Sequence, residues 1–213
     1  MKQGVIFDLD GVIVSTDEYH YLAWMKMAKT EEIYFDREIN ERLRGVSRME
    51  SLEIILERSR KEYTQQEKEV LASIKNEYYK GMLTQLSDKH ILPGVLKFLE
   101  ELEERGIKKA IGSSSKNTDF ILKQIGLKDR FDVIVDGNNI KNSKPDPEVF
   151  LLAAKLLDIA PENCVVIEDA NAGIDAAKAA GTKAVAVGSA AVYKKADYAT
   201  ADIGMLDINE VLK

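Results

Sequence analysis

The feature that most constrains the fold is an alternation of short apolar runs with helical segments through the second half of the chain. Strands are predicted at 108–113, 131–135, 164–167 and 184–187, and a further strand at 4–9 begins the chain. These runs are apolar throughout instead of alternating with polar residues, which is typical of parallel strands buried on both faces. The pattern therefore predicts an α/β fold with a Rossmann-like parallel-sheet core.

Between the first strand and the second, the sequence is rich in charged residues and its apolar residues recur at helical spacing, with almost no strand signal. We expect this block to form a small inserted α-helical cap domain at 15–89, and the core domain to comprise 1–14 and 90–213. Gly45 interrupts the cap block, and Pro147 is expected at the first position of a core helix capped by Asp146. The predicted helices are 17–29, 37–43, 49–59 and 65–86 in the cap, and 117–125, 170–180 and 207–212 in the core, besides one after Pro93-Gly94 and the one capped by Asp146.

Composition and charge limit the possible function classes. The chain has 213 residues, 45% of them hydrophobic, and a formal net charge of −6, which argues against a general nucleic-acid binder. No apolar run approaches membrane-spanning length, and Asp8 interrupts the only apolar stretch near the start, so neither a membrane span nor a signal peptide is expected. The only cysteine, Cys164, excludes an intrachain disulfide, and we expect a cytoplasmic protein.

Polar side chains follow the predicted strands at the positions where each strand ends. In an open α/β sheet, ligands bind beyond the carboxyl ends of the strands, so these residues are expected to converge on one edge. Together they offer carboxylates, hydroxyls and ammonium groups. They are Asp8 and Asp10 after the first strand, Ser113, Ser114, Ser115, Lys116 and Asn117 after the second, Lys144 before a helix, and Glu168 and Asp169 after the fourth.

This mixture of groups indicates phosphoryl-transfer chemistry. Four carboxylates repel one another unless a cation lies among them, and a ligand set made only of oxygens favours Mg²⁺. A serine hydroxyl and the Lys144 ammonium suit phosphate oxygens. Of the two aspartates one residue apart, one can attack phosphorus and the other can transfer a proton at the leaving oxygen.

Four segments resemble the motifs of the haloacid dehalogenase-like phosphotransferases. The resemblance implies that Asp8 is phosphorylated, that Asp10 is the general acid–base, and that Ser113 and Lys144 hold the transferring phosphate. It also implies an Mg²⁺ site made by Asp8, Asp10, Glu168 and Asp169. Ser113 is preferred to Ser114 and Ser115 because it comes first after the strand. The segments are Phe7-Asp8-Leu9-Asp10-Gly11-Val12, Ser113 to Ser115, Ser143-Lys144-Pro145-Asp146-Pro147 and Ile167-Glu168-Asp169-Ala170.

The cap sequence looks like the β-phosphoglucomutase branch of that superfamily, on the segments from Ser15 to Trp24, from Leu43 to Arg48, and on Ser51-Leu52 and Ser115-Lys116-Asn117. This resemblance implies that His20, with Thr16 beside it, assists the acid–base residue. It also implies that a loop of Gly45, Val46, Ser47 and Arg48 binds the sugar phosphate. The remaining residues implied to contact substrate are Asp10, Trp24, Ser51, Lys75, Ser113 to Ser115, Lys116, Asn117 and Lys144.

The resulting expectation is a monomeric, magnesium-dependent enzyme that interconverts β-D-glucose 1-phosphate and glucose 6-phosphate through a bisphosphate intermediate. A sugar-phosphate phosphatase with the same core is the alternative, and a catalytically silent sensor of sugar phosphates is a third hypothesis. The intact Asp8, Asp10, Lys144 and Asp169 argue against the sensor. Ser15 stands where many relatives have Asp, and Ala170 replaces a Ser common in the mutase, which leaves the substrate less certain than the chemistry.

Overall fold

The computed structural model describes residues 2–213, and its strands form a parallel sheet in the order β3-β2-β1-β4-β5-β6. β1 is central, and its Phe7 is in register with Ile111 of β2 and Ile167 of β4. The carboxyl ends of these three strands therefore lie side by side. The strands are β1 (Gly4–Phe7), β2 (Lys108–Gly112), β3 (Val133–Val135), β4 (Cys164–Glu168), β5 (Lys183–Ala186) and β6 (Tyr198–Ala199).

Helices cover the sheet and make up the segment between β1 and β2. That segment holds α1 (Asp17–Thr30), α2 (Arg37–Glu41), α3 (Arg48–Leu56) and α4 (Gln65–Leu83). A further helix, α5 (Val95–Glu104), also lies between β1 and β2, and the rest of the chain adds α6 (Thr118–Gln124), α7 (Glu148–Leu157), α8 (Asn171–Ala179) and α9 (Ile208–Val211). The predicted fold class, a parallel α/β sheet with an inserted helical segment, is confirmed.

Two hydrophobic clusters lie on the two faces of the sheet and divide the residues of β1 between them. Val5 and Phe7 pack into one cluster with side chains of α5 and α6, whereas Ile6 packs into the other with α7 and α8. Successive side chains of a strand point to opposite faces, so a strand that is apolar at every position is buried on both. This burial fixes the sheet and thereby the positions of the residues that follow each strand.

The inserted helices have a hydrophobic cluster of their own, in which Trp24, Met27 and Leu52 are buried. α1 packs against α4, and the last turn of α4 places Tyr79 and Leu83 in the cluster of the core. The insertion is therefore anchored on the sheet by the end of α4. The division into a cap at 15–89 and a core at 1–14 and 90–213 stays a prediction, and Met1 of that range lies outside the described residues.

Some predicted element boundaries differ from the structure. β1 ends at Phe7, two residues before the predicted end, so Asp8 lies directly after the strand. The prediction that Asp146 caps α7 with Pro147 at its first position was wrong by one residue. α7 begins at Glu148, with Pro147 at the cap position, while Asp146 accepts a hydrogen bond from the Glu148 amide. β6 was not predicted, because two residues carry too little pattern to be recognised.

Across residues 2–213, we find no helix both long enough and apolar enough to cross a membrane.

An ion-pair cluster joins α5 to the start of β2 and to the loop before β3. Glu103 accepts hydrogen bonds from Lys109 Nζ at 2.8 Å and from Arg130 Nε at 2.8 Å. The hydrogen bonds from Arg130 and then Lys109 lower the pKa of Glu103 to about 2. A carboxylate whose folded pKa lies below its unfolded value stabilises the protein above the unfolded pKa and loses that contribution as the pH falls toward the folded pKa.

We expect Glu103→Gln to lower the free energy of unfolding at pH 7 by at most about 1 kcal/mol, since the Glu103 side chain is 39% exposed and its ion pairs are screened. The difference between wild type and variant should shrink as the pH falls from the ordinary glutamate range toward 2. Urea unfolding between pH 7 and pH 3 measures it. Glu101→Gln, on the same helix and paired with Lys97 at 3.6 Å, is the matched control. A difference that is constant over this pH range would contradict the assignment.

Candidate active site

A buried lysine connects the strand ends at the carboxyl edge of the sheet. Lys144 is 1% exposed, and its Nζ donates to Asp8 Oδ1 at 2.5 Å and to Glu168 Oε2 at 2.8 Å. Burial disfavours the ammonium, but the two carboxylates outweigh it and raise the pKa of Lys144 above its usual value. Lys144 is therefore charged, and it fixes Asp8 beside the end of β4.

Three buried carboxylates form a cluster that suits a divalent cation. Oxygens of Asp8, Glu168 and Asp169 lie within 4.8 Å of one another. The pKa values of Asp8 and Asp169 are raised to about 7. Burial is the largest cause and a neighbouring carboxylate adds to it (Glu168 for Asp8, and Asp8 for Asp169), while the cationic partners oppose the rise. A donor set made only of oxygens with uncompensated negative charge matches Mg²⁺, so these residues fit the metal.

Gly11 makes room for this cluster. Its φ of +79° is one that residues with a side chain rarely adopt, and a Cβ at this position would lie 2.1 Å from Asp169 Oδ2. Only glycine allows the turn after β1 to pass so close to the Asp169 carboxylate. A second glycine, Gly45 of the inserted segment, also has a positive φ of +75°. A Cβ at this position would lie 3.2 Å from the Ala170 side chain, which is a tight contact.

The Asp10 carboxylate points away from the three clustered carboxylates and toward the inserted helices. Its Oδ1 accepts hydrogen bonds from the hydroxyl and the amide of Thr16, and the Thr16 hydroxyl lies 2.8 Å from the Tyr79 hydroxyl. Burial raises the pKa of Asp10 to about 7 although the Thr16 hydrogen bond lowers it. This carboxyl can therefore hold or release a proton near neutral pH. Its predicted role as a metal ligand stays a prediction.

His20 lies between Asp10 and a buried lysine. Its Nε2 is 3.9 Å from Asp10 Oδ2, and its Nδ1 is 2.9 Å from Lys75 Nζ. The pKa of His20 lies well below its usual value. The main cause is the enclosed position of the ring, and the positive charges of Lys75 and Arg48 add to it. Lys75 is 2% exposed and lies 4.7 Å from the ring centres of Trp24 and Tyr79, where burial and then Arg48 lower its pKa.

The loop that was predicted to bind a sugar phosphate ends in a helix cap. Ser47 accepts a hydrogen bond from the Glu50 amide, and the Glu50 side chain accepts one from the Ser47 amide, so the Ser47 side chain fixes the start of α3. Arg48 follows as the first residue of α3. No carboxylate within residues 2–213 lies within 4.0 Å of its guanidinium, and burial lowers the pKa of Arg48.

The serines after β2 have different environments. Ser113 Oγ accepts a hydrogen bond from the Ser115 amide, and Ser115 Oγ accepts one from the Asn117 amide. In the part of the chain that the structure describes, the buried Ser114 Oγ has no hydrogen-bond partner. The Asn117 side chain donates to Asn76 of α4 at 3.1 Å, which joins this turn to the inserted helices.

All but one of the predicted site residues line one cavity of about 950 Å³ between the sheet edge and the inserted helices. Thr16 is the exception, and it lies behind Asp10. Four residues near the site were not predicted from sequence. Tyr79, Asn76 and Arg44 contact the predicted site residues Thr16, Asn117 and Asp169, and Asp17 pairs with Arg44. The one available signal was the position of Arg44 beside the helix break at Gly45.

Comparison with known proteins agrees with this geometry. The family model described as haloacid dehalogenase-like hydrolase matches residues 5–187. The chain therefore belongs to the haloacid dehalogenase-like hydrolase family. Among its relatives, the beta-phosphoglucomutase of Bacillus subtilis is 47% identical over 188 residues, covering 87% of this chain and 83% of the relative.

Two further comparisons show which activities occur among similar proteins of the family. A crystal structure of beta-phosphoglucomutase from Clostridium difficile superposes with a TM-score of 0.93 at 43% identity, covering 98% of this chain and 95% of that one. The fructose-1-phosphate phosphatase of Escherichia coli is 33% identical over 184 residues, covering 86% of this chain and 95% of the relative. Mutases and phosphatases thus both occur among the similar proteins.

Asp8→Asn should reduce turnover below about one hundredth of the wild-type rate, because an amide of nearly the same shape is a poor nucleophile for phosphorus. The variant should stay folded, since Lys144 keeps its hydrogen bond to Glu168. Steady-state turnover and thermal unfolding measure the two effects. A folded variant that turns over faster than this limit is incompatible with Asp8 as the nucleophile.

Asp10→Asn should slow phosphoryl transfer more than His20→Ala. Asp10 can transfer a proton to or from the substrate directly. His20 lies beside Asp10 and Lys75, and we expect it to act on the proton transfer through these neighbours. Single-turnover kinetics of the two variants, both checked for folding, provide the comparison. Equal losses, or a larger loss for His20→Ala, would refute this division of roles.

Proposed function

We propose that this protein is a magnesium-dependent β-phosphoglucomutase that interconverts β-D-glucose 1-phosphate and glucose 6-phosphate. Asp8 carries the phosphoryl group, and a glucose bisphosphate is the intermediate. The observation that carries the proposal is the presence of two separate cationic side chains in one cavity. Lys144 stands in the core beside the nucleophile, and Arg48 stands in the inserted helices without a carboxylate partner in the described chain. A substrate with a phosphate at each end of a sugar needs both.

In the proposed mechanism, Asp8 attacks the phosphorus of the bound phosphate, and Lys144 keeps the carboxylate oriented. Asp10 gives a proton to the leaving sugar oxygen and takes one from the attacking hydroxyl in the second half of the cycle. Mg²⁺ would be held by Asp8, Glu168 and Asp169, and it supplies positive charge next to the phosphate oxygens. Ser113 and Lys144 are the residues of the chain that face the same phosphate.

A mutase must keep water from the phosphoaspartate until a sugar takes the phosphoryl group. Two uncharged contacts are among those that hold the inserted helices against the core around the cavity. Gly45 approaches Ala170, and Asn76 accepts a hydrogen bond from Asn117. Closure of the cap over the sheet would exclude water in this way, and it would also bring Arg48 over the bound sugar.

The second candidate is a sugar-phosphate phosphatase with the same core. It is favoured by the phosphatases among the relatives, including the phosphorylated carbohydrates phosphatase of Thermotoga maritima at 32% identity. The two functions share Asp8 and Asp10 and differ only in whether sugar or water receives the phosphoryl group. The catalytically silent sensor has no support from a site in which Asp8, Asp10 and Lys144 are all present and in contact with their expected neighbours.

We further propose that the protein acts as a cytoplasmic monomer on small sugar phosphates, and that it binds neither membranes nor nucleic acid. The net charge of −6 supports the last point, and the buried, unpaired Cys164 supports a reducing compartment.

The decisive assay supplies α- and β-glucose 1-phosphate separately, with Mg²⁺ and a trace of the bisphosphate. Glucose 6-phosphate and free phosphate are followed in parallel. The mutase hypothesis expects glucose 6-phosphate from the β anomer and little free phosphate. Stoichiometric release of phosphate without glucose 6-phosphate would favour the phosphatase.

Arg48→Ala should lower mutase activity roughly ten- to a hundredfold, the range typical of losing a desolvated charged hydrogen bond. Hydrolysis of a small acyl phosphate should fall much less, because that substrate has no second phosphate. Arg58→Ala, an arginine beyond the end of α3, is the matched control. If both activities of Arg48→Ala fall together, or neither falls, Arg48 does not bind the distal phosphate.

A further inference from the structure

One guanidinium joins the inserted helices to the carboxylate cluster of the core. Arg44 lies in the turn between α2 and α3, and its Nη2 donates to Asp169 Oδ2 at 2.6 Å. The same nitrogen lies 2.8 Å from Asp17 Oδ2, while Nη1 is 3.8 Å from Glu41 Oε2. Arg44 thus has one partner in the core and two in the inserted segment.

The core partner of Arg44 is a carboxylate that the proposed cation needs. Asp169 belongs to the cluster with Asp8 and Glu168, and its side chain is 7% exposed. Asp169 Oδ2 faces Gly11 on one side, where even a Cβ would overlap it, and the guanidinium on another. A bound divalent cation and the guanidinium would repel each other at this distance in a poorly solvated site.

The alternative partners give Arg44 a second position. Asp17 is 41% exposed and belongs to the first turn of α1, so an ion pair with it persists when Arg44 leaves Asp169. Leaving Asp169 therefore does not strand a buried positive charge. The structure shows Arg44 on both carboxylates, and the pair with Asp17 would allow a second state in which Arg44 contacts Asp17 without Asp169.

We propose that Arg44 is a positioning residue that competes with the divalent cation for Asp169, and so links cation binding to the contact between the inserted helices and the core. Without the cation, Arg44 neutralises Asp169 and holds the inserted helices down. With the cation bound, Arg44 stays on Asp17 and this contact across the cavity is released. The inference rests on the proposed magnesium site.

When Arg44 competes with Mg²⁺ for Asp169, the apparent affinity for Mg²⁺ equals the intrinsic affinity multiplied by the fraction of molecules in which Asp169 is free. If Arg44 occupies Asp169 in about nine molecules of ten, its removal should tighten Mg²⁺ binding about tenfold. The test is isothermal titration of substrate-free Arg44→Met with MgCl₂, and Met keeps most of the apolar length of the side chain. Arg42→Met is the matched control, because Arg42 stands two residues away and pairs with the exposed Glu57.

The expected result is tighter binding for Arg44→Met and unchanged binding for Arg42→Met. Equal Mg²⁺ affinity in wild type and Arg44→Met would overturn the proposal, and so would equal tightening in both variants, which would reflect net charge alone. Arg44→Gln is the second variant, should Arg44→Met lack a cooperative unfolding transition. The same outcomes apply to it.

Thermal unfolding separates competition from an ordinary structural contact. In excess chelator, Arg44→Met should unfold about 2 °C below wild type, because Asp169 loses its partner. At saturating Mg²⁺ this difference should vanish or reverse. A difference that is the same in both conditions would overturn the proposal while leaving the magnesium site intact. If Mg²⁺ neither binds nor stabilises the wild type, the magnesium site fails and the proposal fails with it.

Discussion

The charges buried at the carboxyl edge of the sheet do not balance, and the rest of the molecule is arranged around that imbalance. Asp8 and Glu168 share the buried ammonium of Lys144, and Asp169 pairs with the partly buried Arg44, so three clustered carboxylates meet two cationic side chains. Burying carboxylates without full compensation is unfavourable, and the raised pKa values of Asp8 and Asp169 reflect this. Apolar strands packed on both faces stabilise the sheet enough to hold these groups together. The retained negative charge would favour a bound cation at the proposed magnesium site.

The inserted helices carry the opposite imbalance. Lys75 is buried between aromatic rings, and Arg48 lies nearby, close enough for each to lower the pKa of His20. Asp10 lies between the two regions, and it is bound through Thr16 to Tyr79 at the anchored end of α4. The cavity therefore has clustered carboxylates on the core side and the cationic Arg48 among the inserted helices. An anionic substrate that brings magnesium would be complementary to both.

The grouping of the core residues was predictable from sequence because all of them except Lys144 lie just after a strand of strong apolar pattern. Parallel pairing then brings Asp8, Ser113 and Glu168 to one edge whatever the details of the loops. The contacts Thr16–Tyr79 and Arg44–Asp169 were not predictable, because they join residues 63 and 125 positions apart and depend on how the insertion sits on the sheet. The start of α7 was misplaced by one residue because Asp and Pro are both common around a helix start. The resemblance to the β-phosphoglucomutase branch supplied the roles of the cap residues, which their spacing alone does not define.

The approach of Gly45 to Ala170 has a consequence for the motion of the cap. Neither residue has a side-chain torsion to restrict, so this contact forms and breaks without loss of rotamer entropy. Such a contact by itself stabilises neither the open form nor the closed form strongly. That equilibrium is then governed by a few polar pairs that cross the cavity, and small changes in their charge are enough to shift it. Because the contact is close but weak, the turn that holds Gly45 can shift over Ala170 at each turnover without losing much binding energy.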